Sequence, residues 1–168
     1  MNLGWMLPKG ALEWISENIP IGSSILEFGS GHGTIELSKN YNVTSIEHDI
    51  EWLNLAPVSY IHSPIVSIGN DEQWYDISFL RQIPEEVYLI IIDGPPGEIG
   101  RTGILNYLDQ LPEFTWILID DVHREEERNI ADKFEEKFKS KYRETYTEYD
   151  DDELQRSFSV LLVGDEKT

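Results

Sequence analysis

An α/β fold, a mostly parallel sheet covered by helices in three layers, is predicted by three features of the chain. Short β-branched apolar runs such as SILEF, VTSIE and TWILI alternate with stretches of helical periodicity. The stretch 87–92, VYLIII, carries no charge, as befits a strand buried on both faces. The end of the chain departs from the alternation: Tyr142–Tyr149 and 158–163, joined by a short acidic turn, read as an antiparallel hairpin closing the sheet.

The first helix is expected over 8–18, with Pro8 at its start and Leu12, Ile15 and Ile19 at helical spacing. Strand Ser24–Phe28 follows, then a helix over 34–40, a strand over 43–47 and a short helix over 50–55. A third strand is expected within 60–68, interrupted by Pro64. Residues 73–82, with the pair Trp74-Tyr75, read as a helix. After the strand over 87–92 and a glycine-rich loop come a helix over 102–110, a strand over 115–119 and a helix over 124–139.

A length of 168 residues with 40% hydrophobic content suits a single domain, residues 1–168, with one sizeable core. The 32 acidic residues outweigh the 13 basic ones, giving a formal charge of -19, a field that repels a phosphate backbone and argues against nucleic acid. Much of the acid lies in solvated-looking runs, Glu125-Glu126-Glu127 and Asp150-Asp151-Asp152-Glu153. With no cysteine there are no disulfides, thiol nucleophiles or cysteine zinc sites. The N-terminus has no charged lead before an apolar segment, and no apolar run approaches the roughly 20 residues needed to span a bilayer. A soluble, cytoplasmic protein is expected.

The stretch ILEFGSGHGT joins the first strand to its helix, with glycines at 29, 31 and 33. This is G-x-G-x-G rather than the dinucleotide fingerprint G-x-G-x-x-G, because Thr34 stands where that motif wants its last glycine. A tight strand-to-helix turn without any ligand uses glycines too. Glu27, at the strand end, is poorly placed beside a pyrophosphate and well placed beside an ammonium group. Glu47 ends the second strand, where a carboxylate either accepts hydrogen bonds from both ribose hydroxyls or stabilises the start of the next helix. A nucleoside bearing an ammonium group describes S-adenosylmethionine.

The set E-F-G-S-G-H-G at Glu27 to Gly33, followed by S-I-E-H-D at Ser45 to Asp49, resembles the first two motifs of class I S-adenosylmethionine-dependent methyltransferases. The element order over nearly the whole chain is similar to that fold as well. The resemblance implies a seven-stranded sheet of order 3-2-1-4-5-7-6 with the cofactor across the carboxyl ends of its first strands. It implies that Glu27, Gly29, Ser30, Gly31 and Gly33 contact the methionine part, and that Glu47, with His48 beside it, holds the ribose. Asp93 is placed with the cofactor site too. The acidic residue that often meets adenine after the third strand is missing here; Ser63, His62 or Trp74 stand in its place as candidates.

The fourth strand runs into DGPPGEIGRTG, with Asp93 at its end. Nitrogen methyltransferases often carry D/N-P-P and an aromatic residue here; D-G-P-P-G separates the acid from the prolines and supplies no aromatic. The loop's glycines and prolines suit either a closing flap or an ordinary connection. Arg101, its one basic residue, faces either solvent or an anionic acceptor. The fifth strand ends in Asp120-Asp121, then His123. Catechol-type O-methyltransferases are similar at these places, with an aspartate after the fourth strand and an Asp-Asn pair after the fifth together holding a divalent cation. The D-G-P-P-G and D-D-x-H-R elements also faintly resemble plant glucuronoxylan O-methyltransferases.

The expected function is therefore S-adenosylmethionine-dependent O-methylation of a small-molecule or carbohydrate-like hydroxyl. Asp93, Asp120 and His123 are the candidate catalytic residues; Asp93, Asp120 and Asp121 are candidate ligands for Mg2+ or another divalent cation. Asp121 has a rival role as cap of the following helix, and His123 as a hydrogen-bonded helix-start residue. The rival functions are a cofactor-binding module without turnover and a nucleotide-dependent oxidoreductase.

Overall fold

The computed structural model describes residues 6–166; residues 1–5, part of the N-terminus read above for a leader, lie outside them. Among the described residues, nine strands and three α-helices follow in the order α1 (Lys9–Asn18), β1 (Ser24–Phe28), α2 (His32–Ser38), β2 (Asn42–Glu47), β3 (Ser59–His62), β4 (Ile65–Gly69), β5 (Glu72–Tyr75), β6 (Glu86–Ile92), β7 (Glu113–Asp120), α3 (Glu125–Phe138), β8 (Tyr142–Tyr149) and β9 (Gln155–Leu162). Seven strands form one sheet in the order β3-β2-β1-β6-β7-β9-β8, which in order of appearance within that sheet is the 3-2-1-4-5-7-6 arrangement expected. The first five run parallel, and β9 pairs antiparallel with both β7 and β8.

The central position of β6 follows from its sequence: Val87 to Ile92 are all buried, because helices cover both sides of it. On one face Ala11, Trp14 and Ile15 of α1 pack with Leu89, Ile91, Trp116 and Leu118. On the other, Ile130, Ala131 and Phe134 of α3 pack with Ile90, Ile92, Ile117 and Ile119. Helix α3 carries Glu125 to Glu127 in its first turn and Lys137 in its last, the charge order that the helix dipole favours. Among the described residues, no helix is long and apolar enough to cross a membrane.

Four local expectations need correction. Residues 73–82 do not form a helix: Glu72–Tyr75 is a strand paired with β4 in a separate two-stranded sheet, and Ile77–Arg81 is a 3-10 turn opened by the Asp76 side chain. The hairpin signal was Asn70-Asp71, both with positive φ (52° and 61°), the requirement of a two-residue turn matched to strand twist. The expected third strand over 60–68 is two strands, β3 and β4, split at Pro64, which has no N–H to give a ladder. The expected helix over 102–110 is a pair of 3-10 turns, Thr102–Asn106 and Leu108–Gln110, and the short helix over 50–55 is a 3-10 turn at Ile50–Trp52.

Candidate active site

A cleft of about 690 Å3 opens at the carboxyl ends of β1, β2, β6 and β7. Its floor is made where two backbones meet. Strands β1 and β6 pair in register up to Phe28 and Ile92, so the residues that follow them converge. Gly29 has φ +94°, and a Cβ there would sit 2.8 Å from the Asp93 carbonyl oxygen. A Cβ at Gly94 would sit 2.8 Å from Gly29 Cα and collide with the Tyr75 hydroxyl. Only glycine allows this approach.

On the β1–β2 side, Glu47 is buried and lines the cleft. Its Oε1 accepts the Ser30 N–H at 2.9 Å and its Oε2 the Asp49 N–H at 2.8 Å, while His48 Nδ1 lies 3.0 Å from Oε2. Two carboxylate oxygens offer about four lone-pair sites, so capacity remains for a ligand hydroxyl. Gly29, Ser30 and His48 line the cleft as well. Glu27 stands behind the glycine loop, outside the cleft lining, where its Oε1 receives the hydroxyls of Thr34 (2.6 Å) and Ser45 (2.8 Å). Burial raises its pKa to about 7, against the lowering effect of those two hydrogen bonds. Thr34 also accepts the Gly31 N–H at 3.0 Å. The residue that breaks the dinucleotide fingerprint is thus the one that ties Glu27 to the loop. Gly31 and Gly33 are buried within the turn and do not line the cleft.

The adenine candidates are placed differently from one another. Trp74 is buried away from the cleft lining, stacked on Tyr107 and packed against Phe28 and Phe79. Ser63 is fully buried and donates to the Asp76 carbonyl at 2.6 Å. His62 is exposed, with Nε2 3.0 Å from the His48 carbonyl. Sequence reasoning missed Tyr75: it lines the cleft, and its buried hydroxyl has no hydrogen-bond partner among the described residues. The I′-type turn at Asn70-Asp71, which makes β5 a strand, was the signal that could have found it.

On the β6–β7 side, Asp93, Asp120 and Asp121 come together, with one carboxylate oxygen from each within 4.8 Å of the others. Asp120 is 1% exposed, and its Oδ1 has no partner among the described residues. Its Oδ2 lies 3.7 Å from Arg156, which also donates to the Met6 carbonyl at 2.8 Å. Burial pushes both carboxyls up, Asp93 well above the carboxylate range with the Asp120 charge adding to it, and Asp120 to about 6 with Asp121 adding to it. Two carboxylates in one buried corner favour a shared proton.

Arg101, expected to face solvent or an acceptor, is 4% exposed. Its Nε donates to the Pro95 carbonyl (2.8 Å), one terminal nitrogen to Asp121 Oδ2 (2.9 Å) and the other to the Asp93 carbonyl (3.1 Å). Arg124 reaches the same Asp121 oxygen at 2.6 Å and Glu127 at 3.2 Å. Two readings of the sequence change accordingly. Asp121, at φ 61°, makes no side-chain cap to α3, whose boundary residue is Arg124. Glu127 is not part of a solvated turn; it is buried against Arg124. His123 is exposed on the cleft wall.

No protein-family model and no curated protein sequence matches this chain. Solved structures do. An O-methyltransferase from Bacillus cereus in complex with S-adenosylhomocysteine superposes with a TM-score of 0.64 at 14% identity, covering 94% of this chain and 83% of that one. The METTL16 methyltransferase domain gives 0.65 at 12% identity over 98% and 73%. The Mtq2-Trm112 complex of E. cuniculi, which methylates a translation termination factor, gives 0.55 at 15% identity over 95% and 99%. At 12–15% identity what these neighbours establish is architecture: the chain has the class I S-adenosylmethionine-dependent methyltransferase fold.

Proposed function

We propose that this single-domain chain binds S-adenosylmethionine across the carboxyl ends of β1, β2 and β6 and methylates an oxygen of a small or carbohydrate-like hydroxyl acceptor. The observation that carries this reading is the continuity of the cleft: one cavity joins Ser30 and Glu47 to Asp93 and Asp120. In this reading Glu47, which lines the cleft, accepts ribose hydroxyls. In the same reading Glu27, held by Thr34 and Ser45, sets the charge behind the glycine loop. When bound, the sulfonium supplies an electrophilic methyl group; the chain's part is to align the acceptor and take its proton.

The Asp93–Asp120 pair is the proposed base. With Asp120 shifted to about 6, it is mostly ionised at neutral pH yet basic enough to accept a proton, the compromise that general base catalysis favours. His123, exposed on the same cleft wall, is the candidate to hand that proton to solvent. Gly94, Pro96 and Gly97 line the cleft after Asp93 in place of the aromatic-bearing D/N-P-P element of nitrogen methyltransferases, which favours oxygen. The net charge of -19 favours a small neutral acceptor over nucleic acid.

A divalent cation on Asp93, Asp120 and Asp121 is the second reading, favoured by the 4.8 Å cluster and the unpartnered Asp120 Oδ1. Against it, Asp121 already receives two guanidinium groups. Calorimetric titration with S-adenosylmethionine, S-adenosylhomocysteine and NAD separates the methyltransferase reading from a nucleotide oxidoreductase. The expected result is binding of the first two, weakened in Glu47→Ala by about 1–3 kcal/mol through loss of a buried acceptor. Binding of NAD alone sinks the proposal, and binding without turnover over a hydroxyl panel leaves the binding-module reading standing.

A further inference from the structure

We infer that Arg101 is the resident cation of the cleft, its guanidinium occupying the place between Asp93 and Asp121 that a divalent ion would need, so that the site works without a metal. A hard dication needs carboxylate oxygens free to close on it at about 2.0–2.6 Å, usually with several waters. Here Asp121 Oδ2 is taken by Arg101 at 2.9 Å and Arg124 at 2.6 Å, and Asp93 Oδ1 lies 3.8 Å from Arg101. A dication placed among these oxygens would face a guanidinium at contact distance, buried where water screens little.

Arg101 is also held where it is. Its three hydrogen bonds run to both ends of its own loop's start, Asp93 and Pro95, and across to β7's edge at Asp121. Its own N–H points back to Glu126 on α3 at 3.3 Å. A guanidinium has five N–H donors, and those bonds use three, leaving one on each terminal nitrogen. Arg101 lines the cleft, so the spare donors are the ones available to an acceptor oxygen that gains negative charge as its proton leaves. That role in transfer rests on the methyl-transfer reading; the exclusion of the ion does not. Arg101 is here a positioning group for the Asp93 and Asp121 strand ends as well as the offset for their charge.

The test uses Mn2+ alone as probe, read by thermal unfolding and by water proton relaxation, on the wild-type chain, Arg101→Ala, Arg101→Ala/Asp93→Asn and Arg143→Ala. Arg143 pairs with Asp132 and Glu135 on the surface and controls for removal of one positive charge. The expected result is no Mn2+ effect on the wild type or Arg143→Ala, a melting temperature that climbs with Mn2+ in Arg101→Ala, and loss of that climb in the double variant. Should Arg101→Ala not fold in metal-free buffer, the same comparison is made on its yield of folded protein with and without Mn2+ during refolding. Saturable Mn2+ binding by the wild type overturns the inference, as does an Arg101→Ala chain indifferent to Mn2+. S-adenosylmethionine titrated into the wild type reports separately on the methyl-transfer reading, so a failure of one is not mistaken for a failure of the other.

Discussion

Glu27 shows how burial of one side chain ties stability to pH. Unfolded, its carboxyl titrates near 4.5; folded, burial raises this to about 7. Between those values the folded chain holds a proton that the unfolded chain has lost, so the contribution of Glu27 to stability falls as pH rises through that window. The full span corresponds to about 3 kcal/mol. Glutamine keeps an oxygen for Thr34 and Ser45 without the ionisation, so Glu27→Gln should flatten the fall in melting temperature over the same pH range. A slope unchanged in the variant would assign it to Asp93 and Asp120, which shift in the same direction. The position of Glu47 at the cleft was legible because a carboxylate at a parallel strand's end is rarely there for packing, whereas Glu27, read from the same signal, stands outside the cleft lining. The use of Thr34 was not legible: its partner Glu27 is seven residues away and meets it only through the turn's three-dimensional path.

At the scale of elements, the convergence of the β1 and β6 ends makes a sharp prediction. Gly94→Ala places a methyl against the Tyr75 hydroxyl and Gly29 Cα, neither of which is the far end of a flexible chain. The variant should lose about 1–3 kcal/mol of stability, as overpacking of a tight core contact does, and bind S-adenosylmethionine more weakly; chemical unfolding and calorimetry read the two effects. Ala at Gly33, where the Cβ meets only Leu7 at an ordinary contact distance of 3.6 Å, should be far milder. Strands β1, β6 and β7 were legible because each carries an apolar run that crosses the core, and β2 because its β-branched Val43, Thr44 and Ile46 favour a strand. Strand β5 was not, because the buried pair Trp74-Tyr75 serves a helix or a short hairpin equally well until the Asn70-Asp71 turn decides.

For the whole molecule, 32 acidic against 13 basic residues leave a formal charge of -19 on a compact chain. Repulsion among exposed carboxylates is screened by salt, whereas the buried Arg101–Asp121 pair is screened much less. Melting temperature should therefore rise from low to moderate ionic strength with an inert salt. A fall instead would mean that surface ion pairs such as Lys137–Asp109 and Arg143–Asp132 outweigh the general repulsion.

The sequence by itself determined the sheet, its order through family resemblance, and the two acidic corners of the cleft, because strand patterning and residues at strand ends are local properties that a parallel sheet converts directly into position. Only the tertiary structure decided how those acids are neutralised. Arg101 lies eight residues beyond Asp93 and twenty before Asp121, in a loop whose polarity reads as solvent-facing. Whether such an arginine is buried depends on where the loop folds back against α3, and that is set by contacts with Glu126, Asp93 and Asp121 that no local pattern encodes.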